Sequence, residues 1–201
     1  MKSGIWLLGL GIVAGLVLTA AVWVLFPRAY TYQGSLIDPP VRAASINLDD
    51  QNGHPFRLDD QRGHIVLIFF GYTHCPDVCP ATLSEYRQIK KLLGESASQV
   101  RFMFITVDPQ RDTRAYLKEY LGYFDPDLIG LTGSEAELEQ VWKAYGVFRN
   151  VHPADASGNY LVDHSARTYL IDLDGNWRLT YPFGTQVEKV VADINHLLRE
   201  D

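Results

Sequence analysis

Residues 64–80 read HIVLIFFGYTHCPDVCP, and this stretch decides the architecture. Ile65 to Phe70 is an unbroken apolar run of strand length, the pattern of a strand buried on both faces of a sheet. Two cysteines, Cys75 and Cys79, follow at its end. In α/β sheets chemistry gathers beyond the carboxyl ends of the strands, so the pair stands where a site belongs. Pro80 suits the first position of a helix, which predicts Cys79 as its N-cap. Free backbone N–H groups and the helix dipole there favour a thiolate over a thiol.

Working outward, Thr82 to Leu93 places Leu83, Tyr86, Ile89, Lys90 and Leu93 at helical spacing and stops at Gly94. Val100 to Val107 (VRFMFITV) predicts a second buried strand, with Asp108 at its end. Arg114 to Phe124 predicts a helix capped by Asp112 or Thr113, and Leu128 to Leu131 a short strand. Ser134-Glu135-Ala136-Glu137 reads as a capping box whose helix runs to about Tyr145, ahead of Gly146. Tyr160 to Leu173 and Trp177 to Tyr181 predict a hairpin about Asp174-Gly175, and Thr185-Gln186-Val187-Glu188 a capping box for a last helix. Toward the N-terminus, from Ser45, two extended segments flank Asn52-Gly53, a dipeptide suited to a type I′ turn. Strands alternating with helices predict one α/β domain over residues 42–201, with a mixed sheet and helices on both faces.

Ile5 to Phe26 is a 22-residue stretch without a charge. As a helix it reaches roughly 33 Å, enough to cross a hydrocarbon core of about 30 Å. Trp6 and Trp23 stand near its two ends, where aromatic rings favour the interface. The stretch exceeds the apolar region of about 7–15 residues found in a cleaved signal peptide. The expectation is a single-pass anchor at 5–26, a cytoplasmic stub at 1–4, and a linker at 27–41 containing Pro39-Pro40. The domain then lies outside the cytoplasm, on the periplasmic side of the inner membrane.

The 201-residue chain has a net charge of −6, and its first 26 residues hold Lys2 and no other charge. An acidic domain without a basic stripe argues against nucleic acid as a partner. Two cysteines this close staple almost nothing, so they read as a site and not as a disulfide framework. Three intervening residues let both sulfurs turn toward one point, which favours metal without excluding a disulfide. Structural zinc generally takes four protein ligands, and iron–sulfur clusters need more thiolates than this chain has. Two thiolates and one imidazole suit copper, as soft Cu(I) or as Cu(II). Of six histidines, His74 adjoins Cys75, while His164 enters the later sheet segment and could face the cysteine loop. The pattern alone leaves that choice open.

GYTHCPDVCP, the later VDPQRDT (107–113) and VDHS (162–165) together resemble the three signatures of the Sco/SenC family of copper chaperones. The resemblance covers about Ala43 to Leu198. It implies a thioredoxin-like fold with an added N-terminal β-hairpin, behind one transmembrane helix. It also implies a copper site made by Cys75, Cys79 and His164. Asp108 and Asp163 fall on motif positions too, Asp108 as an outer group or a turn carboxylate, Asp163 as a carboxylate that could orient the histidine ring. The implied role is that of a carrier, not a turnover enzyme, assisting assembly of the binuclear copper site in a cytochrome c oxidase subunit. The alternative is a thiol–disulfide reductase acting on that subunit or on a partner chaperone, with Cys75 and Cys79 as the redox-active pair.

Overall fold

The computed structural model describes residues 30–200, with Gly11, Gly15, Leu16, Leu18 and Thr19 as helical positions before them. The expected anchor at 5–26 otherwise lies outside the described residues. Among those described, no helix is long and apolar enough to cross a membrane.

Eight strands form one mixed sheet: β1 (Ser35–Arg42), β2 (Asn47–Asp50), β3 (Pro55–Arg57), β4 (Ile65–Gly71), β5 (Val100–Thr106), β6 (Ile129–Thr132), β9 (Arg167–Ile171) and β10 (Asn176–Pro182). Two more, β7 (Arg149–Val151) and β8 (Val162–His164), make a separate two-stranded sheet. The helices are α1 (Val78–Leu93), α2 (Arg114–Gly122), α3 (Glu135–Ala144) and α4 (Val187–Leu197). Strand order in the large sheet is β1-β10-β9-β4-β5-β6-β2-β3. Only β4–β5 and β5–β6 run parallel, as connections through α1 and α2 require.

Every residue of β4 is buried, as its unbroken apolar run predicts. Alternation sends Phe69 to one face, toward Phe104, which also meets Tyr120 of α2. Tyr86 of α1 meets Phe102 on that same face. Phe70 points to the other, against Tyr145 at the end of α3 and Tyr169 of β9. The apolar side chains of both layers thus close over the strands that end at the cysteine loop.

The structure departs from the sequence reading in several places. Residues 35–41, expected within the linker, form with Arg42 the edge strand β1 on β10, with a register shift between Leu36 and Val41. An edge strand tolerates Pro39 and Pro40 because its outer N–H groups need no partner, and that is why no alternation announces it. The 47–57 hairpin forms, but not by a type I′ turn: Gly53 has φ +83° and Asn52 does not share the left-handed region. The Asp50 carboxylate accepts from the Asn52 and His54 N–H groups and shapes a wider loop. Helix α1 starts at Val78 behind Asp77, so Cys79 sits inside the first turn and not at the cap. The Ser134 capping box forms, whereas the Thr185 one does not. Thr185 Oγ1 donates instead to the Pro182 carbonyl, and Gln186 stands at the N-cap position of α4 without a side-chain capping bond. The expected 160–173 strand breaks at Ser165-Ala166 into β8 and β9.

Candidate metal centre

The cysteine loop leaves β4 through Gly71, and the closeness of its packing demands that glycine. A Cβ at 71 would lie 2.8 Å from Phe104, 2.8 Å from Phe69 and 2.9 Å from Cys79 Sγ. Cys79 is fully buried under this strand end, while Cys75 is half-buried at the mouth of the loop. The Cys75 N–H donates to the Tyr72 carbonyl at 3.2 Å, closing a tight turn.

Asp112 fastens the loop to β5. Its carboxylate, with no exposed surface, accepts from the Thr73 N–H (3.3 and 3.2 Å), from Thr73 Oγ1 (2.5 Å) and from Thr106 Oγ1 (2.6 Å). Burial pushes the Asp112 carboxyl up, against the opposing pull of the Thr106 and Thr73 donors. The cap of α2 expected from Asp112 or Thr113 falls to Thr113 alone, whose Oγ1 accepts from the Tyr116 N–H.

His164 arrives from β8, 85 residues beyond Cys79, and brings its Nε2 to 3.5 Å from Cys79 Sγ. The ligand atoms of Cys75, Cys79 and His164 all lie within 4.8 Å of one another, and no other such cluster occurs among the described residues. The imidazole stands edge-on between the rings of Phe69 (5.9 Å) and Tyr72 (5.8 Å, 90°). Its Nδ1–H donates to the Ser165 carbonyl at 3.2 Å, which leaves the Nε2 lone pair toward the sulfurs.

The two sulfurs are electrostatically unequal. The Cys75 thiol is held down to about 3 by donation from the Cys79 thiol, helped by the Asp77 and Cys79 backbone N–H groups at the start of α1. The Cys79 thiol is pushed up by that same donation and by burial. Thiolate character therefore belongs to Cys75, not to Cys79 as an N-cap position would have dictated. Two soft sulfurs, one already ionised, and a nitrogen lone pair converging on one point form a donor set suited to a soft metal ion.

Other sequence candidates lie elsewhere. His74 turns away, stacked on Tyr116 at 5.2 Å and bonded to Thr73 Oγ1. Asp163 is exposed and pairs with His152 at 2.7 Å; it does not orient His164. Neighbouring strand residues point to opposite faces, so the residue beside an inward histidine must point out. Asp108 is buried but is no part of the cluster, being bound to Arg111 (2.5 Å) and to the Tyr160 hydroxyl (2.8 Å). Tyr72, Arg111 and Asp112 shape the centre and were missed as site residues. They lie in loops without periodicity, where no face could be assigned.

A family model described as SCO1/SenC matches residues 39–199. Over 133 residues the chain is 45% identical to an SCO2-like protein of Rickettsia conorii, a match covering 66% of this chain and 65% of that relative's length. Among solved structures, Bradyrhizobium japonicum ScoI with copper bound is similar at TM-score 0.72 and 40% identity, covering 78% of this chain and 99% of that one. Yeast Sco1 with copper bound is similar at TM-score 0.73 and 32% identity, covering 81% and 91%.

Proposed function

The chain belongs to the SCO1/SenC family, and from that premise we propose that it carries copper, held by Cys75, Cys79 and His164, as cargo for the copper-bearing subunit of cytochrome c oxidase. The observation that carries this reading is the convergence of two sulfurs and the Nε2 lone pair within 4.8 Å. The ionised Cys75 offers a ready anionic ligand. The buried Cys79 offers a second once its proton leaves, and the Ser165 carbonyl keeps the histidine nitrogen free to bind. Half-exposure of Cys75 leaves one side of the centre open to an acceptor's own ligands. The apolar stretch at 5–26 would tether the domain to the inner membrane, on its periplasmic side.

Copper stoichiometry with visible and EPR spectra on the reduced full chain tests this. A single copper should bind with a thiolate-to-copper charge-transfer band that vanishes in a Cys75→Ser/Cys79→Ser variant. Loss of the imidazole in His164→Ala should weaken Cu(II) binding markedly while leaving the fold intact. Equal affinity in His164→Ala would sink the assignment.

The inequality of the cysteines supports a second reading, thiol–disulfide exchange. Cys75 thiolate would attack a target disulfide and form a mixed disulfide, releasing one target thiolate. Cys79 would then attack Cys75 Sγ, passing its proton outward and releasing the second target thiol. The target gains the two electrons that the Cys75–Cys79 pair loses. Reduction of such a target by metal-free protein, insensitive to copper chelators, supports this role; it is compatible with the first, since a copper acceptor needs reduced cysteines.

A further inference from the structure

Arg111 and Asp112 are neighbours in sequence, yet they hold opposite halves of the centre. Asp112 ties down the cysteine loop. Arg111 reaches the other way: its Nε donates to Asp108 Oδ2 at 2.5 Å and its Nη1 to the Tyr160 carbonyl at 2.9 Å. Its guanidinium carbon lies 3.5 Å from the centroid of the Tyr160 ring and 5.6 Å from that of Tyr72. The Tyr160 hydroxyl donates back to Asp108 Oδ1 at 2.8 Å, and Asp108 is itself fixed to the end of β5 through Thr106 Oγ1. Nη2 is buried without a hydrogen-bond partner.

This closed set of contacts pins Tyr160 two residues ahead of β8, the strand that carries His164. Tyr72, the other ring against Arg111, meets the His164 ring edge-on and accepts from the Val162 N–H at 3.3 Å. Arg111 therefore touches two supports of the histidine strand, Tyr72 and Tyr160, and neither sulfur ligand. Three-residue strands paired only with each other have little stability of their own. Side-chain ties of this kind add to the backbone bonds from Ser165 N–H to the Phe148 carbonyl and from Phe183 N–H to the Ala166 carbonyl in fixing His164.

We propose that Arg111 is a positioning residue that fixes the His164 imidazole against the cysteine pair, and so sets the preference of the centre for Cu(II) over Cu(I). The second half rests on the copper reading above. Cu(I) is satisfied by two thiolates, whereas Cu(II) draws more on the imidazole nitrogen.

The test uses the full chain, comparing wild type with Arg111→Gln and Arg111→Lys. In metal-free protein, carbethoxylation of His164 by diethyl pyrocarbonate, read by mass spectrometry, should run about tenfold faster in Arg111→Gln, the scale of losing a charge-assisted bond. Alkylation of Cys75 should stay within about twofold, because no Arg111 contact reaches the cysteine loop beyond Tyr72. Arg111→Lys should restore little, since an ammonium cannot reproduce the planar fork and the ring stacking. With copper added, Cu(II) affinity should fall about tenfold in Arg111→Gln and Cu(I) affinity no more than about twofold, with altered EPR parameters for Cu(II). Should Arg111→Gln fail to fold, Tyr160→Leu, which removes the ring and hydroxyl from a part-exposed position, should show the same selective change. An unchanged His164 modification rate, or equal losses for both oxidation states, overturns the proposal. If wild type binds no copper through the three residues, the functional reading fails, while the metal-free modification rates still decide whether Arg111 positions His164.

Discussion

The two halves of the centre are built by opposite means. The cysteine half is part of the core: Cys79 is fully buried, Gly71 leaves it no spare room, and Asp112 fixes the loop with donors from two elements. The histidine half hangs outside the main sheet, on a hairpin whose connecting residues 152–159 are all exposed. Side chains tie it down, Arg111 at one end and Arg149 at the other, where Arg149 Nε donates to the Val107 carbonyl at 2.6 Å. Core packing can shift only by disturbing many neighbours, whereas a hairpin held by a few side-chain ties, two of them guanidinium groups, can shift by losing one. The lesson is a centre with a fixed sulfur side and an adjustable nitrogen side.

The sharpest way to break this contrast is at the thiols. In native reduced protein, iodoacetamide should modify Cys75 about a hundredfold or more faster than Cys79, which must wait for local opening. Comparable rates, measured by peptide mapping, would remove the fixed sulfur side. Next in size, Asp112→Ala leaves the Thr73 N–H and two buried threonine hydroxyls without their acceptor, and should cost about 3 kcal/mol in urea unfolding. Asp112→Asn isolates the charge. Because the folded Asp112 pKa is raised, its contribution to stability is fully present below the unfolded value and declines as pH rises through the folded one. Wild type should therefore lose stability relative to Asp112→Asn as pH climbs upward from about 4, and a trend of the other sign would contradict the burial argument.

On the nitrogen side the effects shrink globally and concentrate locally. Arg149→Ala forfeits the Val107 bond, the Glu135 ion pair at 3.3 Å and the stacking over Trp142 at 4.7 Å. A global cost of about 1 kcal/mol is expected, together with faster amide exchange confined to β7 and β8. Exchange that quickens equally in β4 would show that the hairpin is no separate unit. The smallest effect belongs to Asp163→Ala, whose exposed pair with His152 should be worth less than about 0.5 kcal/mol. Copper affinity should not change, and a loss there would restore the carboxylate to the role that the Ser165 carbonyl holds.

Legibility in the sequence follows the same division. The cysteine half is contiguous, so a buried strand, a turn and a helix start could be read within 17 residues. What was misplaced there, the cap at Cys79, lies two residues beyond the observed N-cap of α1, Asp77. The histidine half is assembled across 85 residues, and composition could not choose between His74 and His164; resemblance did. Strand β7 was unreadable because NVHPADASGNY carries the polarity of a loop, and β1 because two prolines erase any alternation. Arg111 and Asp112 carry no local sign of their partners, which only the folded chain brings near. The resemblance to the SCO1/SenC family pointed to Cys75, Cys79 and His164, which the fold brings together, but not to the residues that hold them in place.

The bond that orients His164 has a genetic consequence. Its acceptor is the backbone carbonyl of Ser165, and every amino acid supplies that oxygen. No codon change at position 165 can delete it, whereas a side-chain acceptor such as Asp163 could be lost in a single nucleotide step. The proton on the ring is therefore insured against point mutation, and the vulnerability moves to the distant residues that keep the strand in place.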